Sequence, residues 1–340
     1  MKVLVFGGTR FIGRRLVGDL VAAGHTVTLY NRGVTPDPFG GAVERIQGDR
    51  RSPADLLSGL SRREFDAVYD FLSYAAADAR LAIESLAGRV GHFVHISTCS
   101  VYWCTGDFPC PVPEEEFDRL GDIPEQPGSI EYDYGYNKRK AEETLFAAHT
   151  TSGFPVTTIR LPIVGGEGDP TLRYASYCAR VSDGGPLILP DGGYAPFRHV
   201  YVADAARMLA ALPGIPRAVG QAYNLACDEI LSVRFVVARI ADLLGRSVDT
   251  VEIPMPALEA LGVGAAFSPF TQRAAQVPAI FKARGDLAWT PTPYIEWLER
   301  TVRWCMDARR SPAGPPPAYA HRESELAAAE RFRRGLGSSS

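Results

Sequence analysis

The feature that most constrains this chain lies in its first two dozen residues. An apolar run at 3–6 leads straight into Gly7-Gly8-Thr9-Arg10-Phe11-Ile12-Gly13, and an amphipathic stretch over 11–23 follows, with Ile12, Leu16, Leu20 and Val21 at helical spacing. Strand, glycine turn and helix in that order open a βαβ unit. Gly7 permits the tight turn, and Gly13 lets the helix lie close on the sheet. The helix N-terminus, reached through Thr9, Arg10, Phe11 and Ile12, then turns free amides toward a pyrophosphate. The glycines alone are a weak signal, and their place between a strand and a helix gives them weight.

The same alternation continues. Strand-like runs at 25–30, 67–72, 92–96 and 156–160 are interleaved with helical stretches at 76–86 and 138–149. Such a series predicts an α/β fold, a doubly wound parallel sheet of Rossmann type with helices on both faces. Beyond residue 164 the pattern loosens. Gly and Pro punctuate 165–196 around a short helix at 171–182, strands are expected at 199–202 and 222–225, and helices at 232–244 and 293–308. The expected division is a nucleotide-binding domain over 1–164, with returns near 197–226. A smaller substrate-binding region would take 165–196 and 227–308. Residues 309–340 read as a Pro-rich linker, a charged terminal helix and a Gly/Ser tail.

Composition narrows the function classes. The 340 residues are 46% hydrophobic and 22% charged with a net charge of −3, an ordinary globular balance without a basic field for nucleic acid or anionic membrane. There is no apolar run of about 18 residues, and residues 2–6 have no signal-peptide organisation, so a cytoplasmic protein is expected. Six cysteines, at 99, 104, 110, 178, 227 and 305, include no CxxC pair and no ligand-like His offset. They read as free thiols, and no metal site is expected.

The second strand ends at Tyr30-Asn31-Arg32, where an acidic residue for the ribose hydroxyls is absent. Arg32, with Arg10 in the loop, can hold a 2′-phosphate through charge-assisted hydrogen bonds, which favours NADP over NAD. The alternative is that both are solvated surface residues. Asp49, after a third strand, can accept from an adenine amino group or cap a turn.

Lysine occurs only at 2, 138, 140 and 282, and two of the four stand in Tyr134-Gly-Tyr136-Asn-Lys138-Arg-Lys140-Ala-Glu142. A Tyr and a Lys four apart share one helix face. A phenol with pKa near 10 is a poor base at neutral pH, but an adjacent ammonium favours its ionised form. Upstream, His95-Ile-Ser-Thr98-Cys99-Ser100-Val-Tyr102 ends a strand in hydroxyls, and Thr98 can hold the same substrate oxygen. Tyr136 and Lys140 form a second Tyr-x-x-x-Lys. The spacing alone leaves the two registers open.

Together these residues resemble the extended short-chain dehydrogenase/reductase family, the NAD-dependent epimerase/dehydratase group. The resemblance runs over about 1–308 and includes Ile159-Arg-Leu-Pro162, Phe197–Asp204, Ala222–Leu225 and Trp289–Trp304. It implies that Tyr134 is the acid/base, that Lys138 orients the nicotinamide ribose, and that Thr98 steadies the reacting oxygen. Pro162 and Val164 would lie beside the nicotinamide, and Cys99, Ser100 and Arg198 would face substrate. It also implies a homodimer through 76–86 and 138–149. Arg10 in place of a loop glycine is similar to an atypical branch with RNA-associated chloroplast members. Cys99 and Ser100 stand where the group's 4,6-dehydratases carry an Asp and a Glu. The expected activity is hydride transfer between a nicotinamide, NADP before NAD, and a secondary alcohol or ketone of a nucleotide sugar or small metabolite. A nucleotide-sugar epimerase with retained NAD and an RNA-binding protein on the same scaffold are the alternatives. Residues 103–133 form a long excursion, a lid or a surface loop.

Overall fold

Val3, Leu4, Val5 and Phe6 have no exposed surface at all, as a strand covered on both faces requires. In the computed structural model, which describes residues 1–104, 108–119, 130–264, 266–271, 274–308 and 315–335, they form β1 (Lys2–Phe6). Six further strands lie parallel with it: β2 (Thr26–Asn31), β3 (Glu44–Gln47), β4 (Phe65–Asp70), β5 (Val90–Thr98), β6 (Val156–Leu161) and Gln221–Asn224. From one edge the order is 221–224, β6, β5, β4, β1, β2, β3. Chain direction across the sheet reverses between β1 and β4, which opens a crevice beyond their C-terminal ends.

Alternation along β1 sorts its side chains between two cores. Val3 and Val5 pack with Leu16, Val17 and Leu20 of α1 (Phe11–Ala22) on one face. Leu4 and Phe6 pack on the other with α2 (Pro53–Leu60), α3 (Ala76–Leu86) and, further along, Ala141 and Leu145. After β5 the chain turns through a single-turn helix, α4 (Ser100–Trp103). The excursion that follows holds a second short helix, α5 (Glu116–Arg119). Within 108–119 it folds back onto the sheet edge: the Glu114 carboxylate accepts from the Asn224 amide at 2.8 Å, and Phe117 is buried. Residues 105–107 and 120–129 of the excursion lie outside the described residues.

The helix expected over 138–149 is longer, α6 (Ile130–Ser152), so Tyr134 lies within it. The strand expected at 199–202 is only Val200–Tyr201. Val202 starts α8 (Val202–Ala211), after α7 (Arg173–Asp183), and buries Ala205, Ala206 and Leu209. The sequence conceals that helix because its small apolar residues follow a β-branched run that reads as strand.

The chain divides into two compact units. The first comprises 1–164, 200–226 and 278–291, and the second 165–199, 227–277 and 292–340. The second contains α7, α9 (Val233–Leu244), α10 (Met255–Ala260), α12 (Tyr294–Ala308) and α13 (Arg322–Arg333), with Leu187–Pro190 paired in parallel to Thr250–Ile253. Between them in sequence, α11 (Phe281–Leu287) belongs to the first unit. The terminal helix α13 is part of the second unit's core. Glu325 is fully buried, accepts from Arg180 Nε at 2.8 Å and receives the Ile188 amide at 3.2 Å. Among the described residues no helix is long and apolar enough to cross a membrane.

Candidate active site

The loop after β1 is built around close backbone approach. Gly7 and Gly8 have φ of +98° and +83°, a region costly for other residues. A Cβ on Gly13 would stand 2.9 Å from the Gly8 Cα, so helix and turn touch through backbone alone. Gly8 is a required member of this cradle that the motif spacing did not single out; a Cβ there would meet Val5, Val17 and Leu29 at 3.0 Å. Arg10 is the N-cap residue of α1, in extended conformation, and Phe11 follows it at φ +43°.

A cavity of about 430 Å³ opens beyond the loop, at the point where the sheet reverses. Its lining includes Gly7, Thr9, Arg10, Asn31, Arg32 and Asp49, all named from sequence, and also Tyr30, Arg50, Arg51 and Tyr74, which no motif marks. Four guanidinium groups thus face one carboxylate. Arg10 donates to Thr35 Oγ1 at 3.1 Å. Asn31 Oδ1 accepts the Gly33 amide at 2.9 Å, and Asp49 Oδ1 accepts the Arg51 amide at 2.9 Å, so Asp49 caps its turn as it lines the cavity. Arg50 is held from behind: it donates to Asp70 Oδ2 at 2.7 Å and to Ser73 Oγ at 3.1 Å, both buried. Two buried polar atoms in this lining, Tyr30 Oη and Arg50 Nε, have no partner among the described residues. Unmade hydrogen bonds are costly inside a protein, and here both belong to residues that line the cavity. Burial and the carboxylates of Asp55 and Asp49 push the Tyr30 phenol up to about 12, so it remains a neutral donor. Glycine turn and cationic lining suit a dinucleotide phosphate better than an apolar ligand.

Ile12 packs into the core beneath the loop. Pro162 and Val164 follow β6 half-buried and do not line the cavity.

The catalytic candidates converge on the end of β5. A Cβ on Gly135 would stand 2.3 Å from the Ser100 carbonyl oxygen, so α6 rests on the corner that carries Thr98 and Ser100. Thr98 Oγ1 accepts the Ser100 amide at 3.1 Å and donates to Ser100 Oγ at 3.1 Å. Tyr134 is 39% exposed. One turn on, Lys138 is 2% exposed and donates to the Ile96 carbonyl at 2.8 Å. Burial draws its ammonium down to about 8 against the opposing pull of Asp70, Glu142 and Asp78. Tyr74 joins this group to the cavity: its ring centroid lies 4.8 Å from Lys138 Nζ and 6.4 Å from the Tyr134 ring. The second Tyr-x-x-x-Lys stands apart, with Tyr136 stacked on Tyr132 and Lys140 paired with Glu143 at 2.8 Å.

Two landmarks of the sequence meet one another. Glu142, last of the Tyr-Lys-Glu series, is fully buried and takes Arg160 of β6 at 2.7 Å. The Arg160 guanidinium also donates to Tyr102 Oη, fastening α6 to the sheet. Cys99 is a correction to the expected site. It is fully buried among Val101, Tyr102, Val112 and Phe117, its thiol raised by desolvation, so it packs and does not meet substrate. Arg198 belongs to the second unit and donates to the Asp228 carbonyl at 3.0 Å.

The chain is 30% identical to 2′-dehydrokanamycin reductase of Streptomyces kanamyceticus over 75% of its length and 70% of that protein. It is 25% identical to the chloroplast stem-loop binding protein of 41 kDa b from Arabidopsis thaliana, over 68% of this chain and 60% of that one. The UDP-glucose 4-epimerase of Thermotoga maritima shares the fold with a TM-score of 0.73, at 19% identity over 91% of this chain and 99% of that one. Residues 3–226, from β1 through the last strand of the sheet, match the NAD-dependent epimerase/dehydratase family. The chain is a member of that family and an enzyme of the short-chain dehydrogenase/reductase type.

Proposed function

We propose that this chain is an NADPH-dependent reductase that converts a ketone to a secondary alcohol. The observation that carries the reading is the cavity of Arg10, Arg32, Arg50 and Arg51 against one carboxylate, joined through Tyr74 to Lys138 and Tyr134. With Arg50 already matched by Asp70, Arg10 and Arg32 remain to take a 2′-phosphate, and Asn31 brings no repelling charge to the end of β2. The amides after Gly7 and Gly8 take the pyrophosphate, and Asp49 faces the adenine.

Bound NADPH supplies the hydride. Tyr134 gives its phenolic proton to the substrate oxygen, Thr98 and Ser100 hold that oxygen, and Lys138 lowers the cost of the phenolate left behind. Cys99 and Ser100, where an acid and a base would drive elimination, support reduction over dehydration. The Streptomyces relative is named for reduction of a dehydro-aminoglycoside, and a ring ketone on a polar metabolite is the substrate class we favour. We further propose a cytoplasmic homodimer that pairs through α3 and α6, testable by sedimentation.

The test is to denature the purified protein, identify any released nucleotide, and titrate the empty protein with NADPH and NADH. Tighter NADPH binding supports the reading, as does consumption of NADPH with ring ketones that Tyr134→Phe abolishes without loss of binding. Stoichiometric retained NAD would replace it with the epimerase cycle, and binding of neither cofactor would return the RNA-binding alternative.

A further inference from the structure

Tyr74 belongs to no motif, yet it occupies the junction of the two halves of the site. It lines the cavity, its ring carries the Lys138 ammonium on one face at 4.8 Å, and it lies 6.4 Å from Tyr134 at an interplanar angle of 48°. The loop that presents it is firmly tied. Asp70 Oδ1 accepts the amides of Leu72 and Ser73 at 2.8 and 3.0 Å, and Asp78 Oδ2 accepts those of Tyr74 and Ala75 at 2.9 and 3.1 Å. All four bonds use backbone donors, so the ring is placed by its loop and does not depend on its own hydroxyl.

Lys138 needs such a neighbour. Its ammonium is almost wholly buried, and the Ile96 carbonyl is its hydrogen-bond acceptor among the described residues. The charged and titratable groups around it come from every neighbouring element. Asp70 ends β4, Asp78 belongs to α3, Glu142 to α6, Arg50 follows β3, and buried His95 lies on β5. Each carboxylate has other work: Asp70 binds Arg50 and two amides, Asp78 two amides, and Glu142 binds Arg160. An aromatic face can stabilise a desolvated cation electrostatically without a formal charge and without a competing acceptor. It therefore favours the ammonium while leaving its N–H groups to bind.

We propose that Tyr74 is a positioning residue of the active site: its ring keeps Lys138 charged and seated where the cavity meets Tyr134. The inference rests on the reductase reading for its purpose but not for its test. Because the chain has only four lysines, at 2, 138, 140 and 282, protein labelled at the lysine ε-carbon gives four signals, and Lys138→Arg identifies one. The wild-type Lys138 signal should titrate near 8. Tyr74→Phe, which keeps the ring, should leave it there. Tyr74→Leu, which keeps the bulk alone, should lower the midpoint by about one pH unit and weaken NADPH binding about fivefold at pH 8, where the charged fraction of Lys138 falls from about one half to about one tenth. An unchanged Lys138 titration in a folded Tyr74→Leu protein overturns the proposal, and so does a shift in Tyr74→Phe as large as in Tyr74→Leu. Failure of the wild type to bind NADPH would strike the reductase reading instead, with the lysine titration still deciding the role of Tyr74.

Discussion

Gly135→Ala sets two well-measured effects against each other. In the interior of an exposed helix, Gly to Ala stabilises by about 1 kcal/mol through backbone entropy. At position 135 the new Cβ would stand 2.3 Å from the Ser100 oxygen and 3.0 Å from its carbonyl carbon, both backbone atoms with no rotamer to yield. Opening the oxygen contact to about 3.3 Å requires α6 and the β5 corner to separate by about 1 Å. Strain of this kind costs about 1–3 kcal/mol, so against the propensity gain the net change should be a loss of up to about 2 kcal/mol, read as a lower urea midpoint with an unchanged slope. The same separation moves Tyr134 and Lys138 against Thr98 and Ser100, and misplacement of about 1 Å lowers turnover about 100-fold. The assay pairs urea unfolding with kcat/KM on the best ketone, and NADPH affinity serves as control. A Gly135→Ala protein with a raised midpoint and full turnover would refute the close-contact argument and leave helix propensity alone in charge.

Arg10→Gly should raise the Kd for NADPH about tenfold while leaving that for NADH within about twofold; equal losses for both would remove the 2′-phosphate role. Glu142→Gln leaves Arg160 buried without its counter-charge and should cost about 3–5 kcal/mol in urea unfolding, whereas replacing both residues with methionine should recover most of it. His92 is buried against Thr157, with its Nε2 2.7 Å from the hydroxyl, and desolvation lowers its pKa to about 4 from 6.5. The unfolded state then binds more protons between those values, so stability falls as pH drops from 6.5 to 4, by about 3 kcal/mol from this group. His92→Gln should flatten that part of the stability curve, and an unchanged slope would place the acid sensitivity elsewhere.

The parts of the fold legible in sequence are those governed by local periodicity. The run at 3–6 and the spacing of Ile12, Leu16 and Leu20 identify a strand and a helix without tertiary information. The loop between them is readable for the same reason, since backbone approach restricts residue choice. What escapes such a reading depends on distant partners. Tyr74, Arg50 and Tyr30 look like ordinary loop and strand residues until the sheet sets them around one cavity. Arg322 and Glu325 read as solvated charges of a polar helix, and their burial follows from Asp183 and Arg180, more than 130 positions away in sequence. Cys99 shows the converse error. Its neighbours Thr98 and Ser100 stand at the corner on which α6 rests, but β5 ends at Thr98 and the turn into α4 points the residue between them into the core.

The buried bond between Arg180 and Glu325 also bears on how this protein is made. The first unit takes its edge strand from 221–224 and its helix α11 from 278–291, and the second closes on residues 322–333. Domains ordinarily complete as the ribosome delivers them; here the first unit waits for residue 291 and the second for residues 322–333. A nascent chain holding Arg180 lacks the counter-charge of that side chain until Glu325 has been added, 145 positions later. Expression of chains cut before residue 322 should therefore yield aggregates, however complete the nucleotide-binding motif they contain.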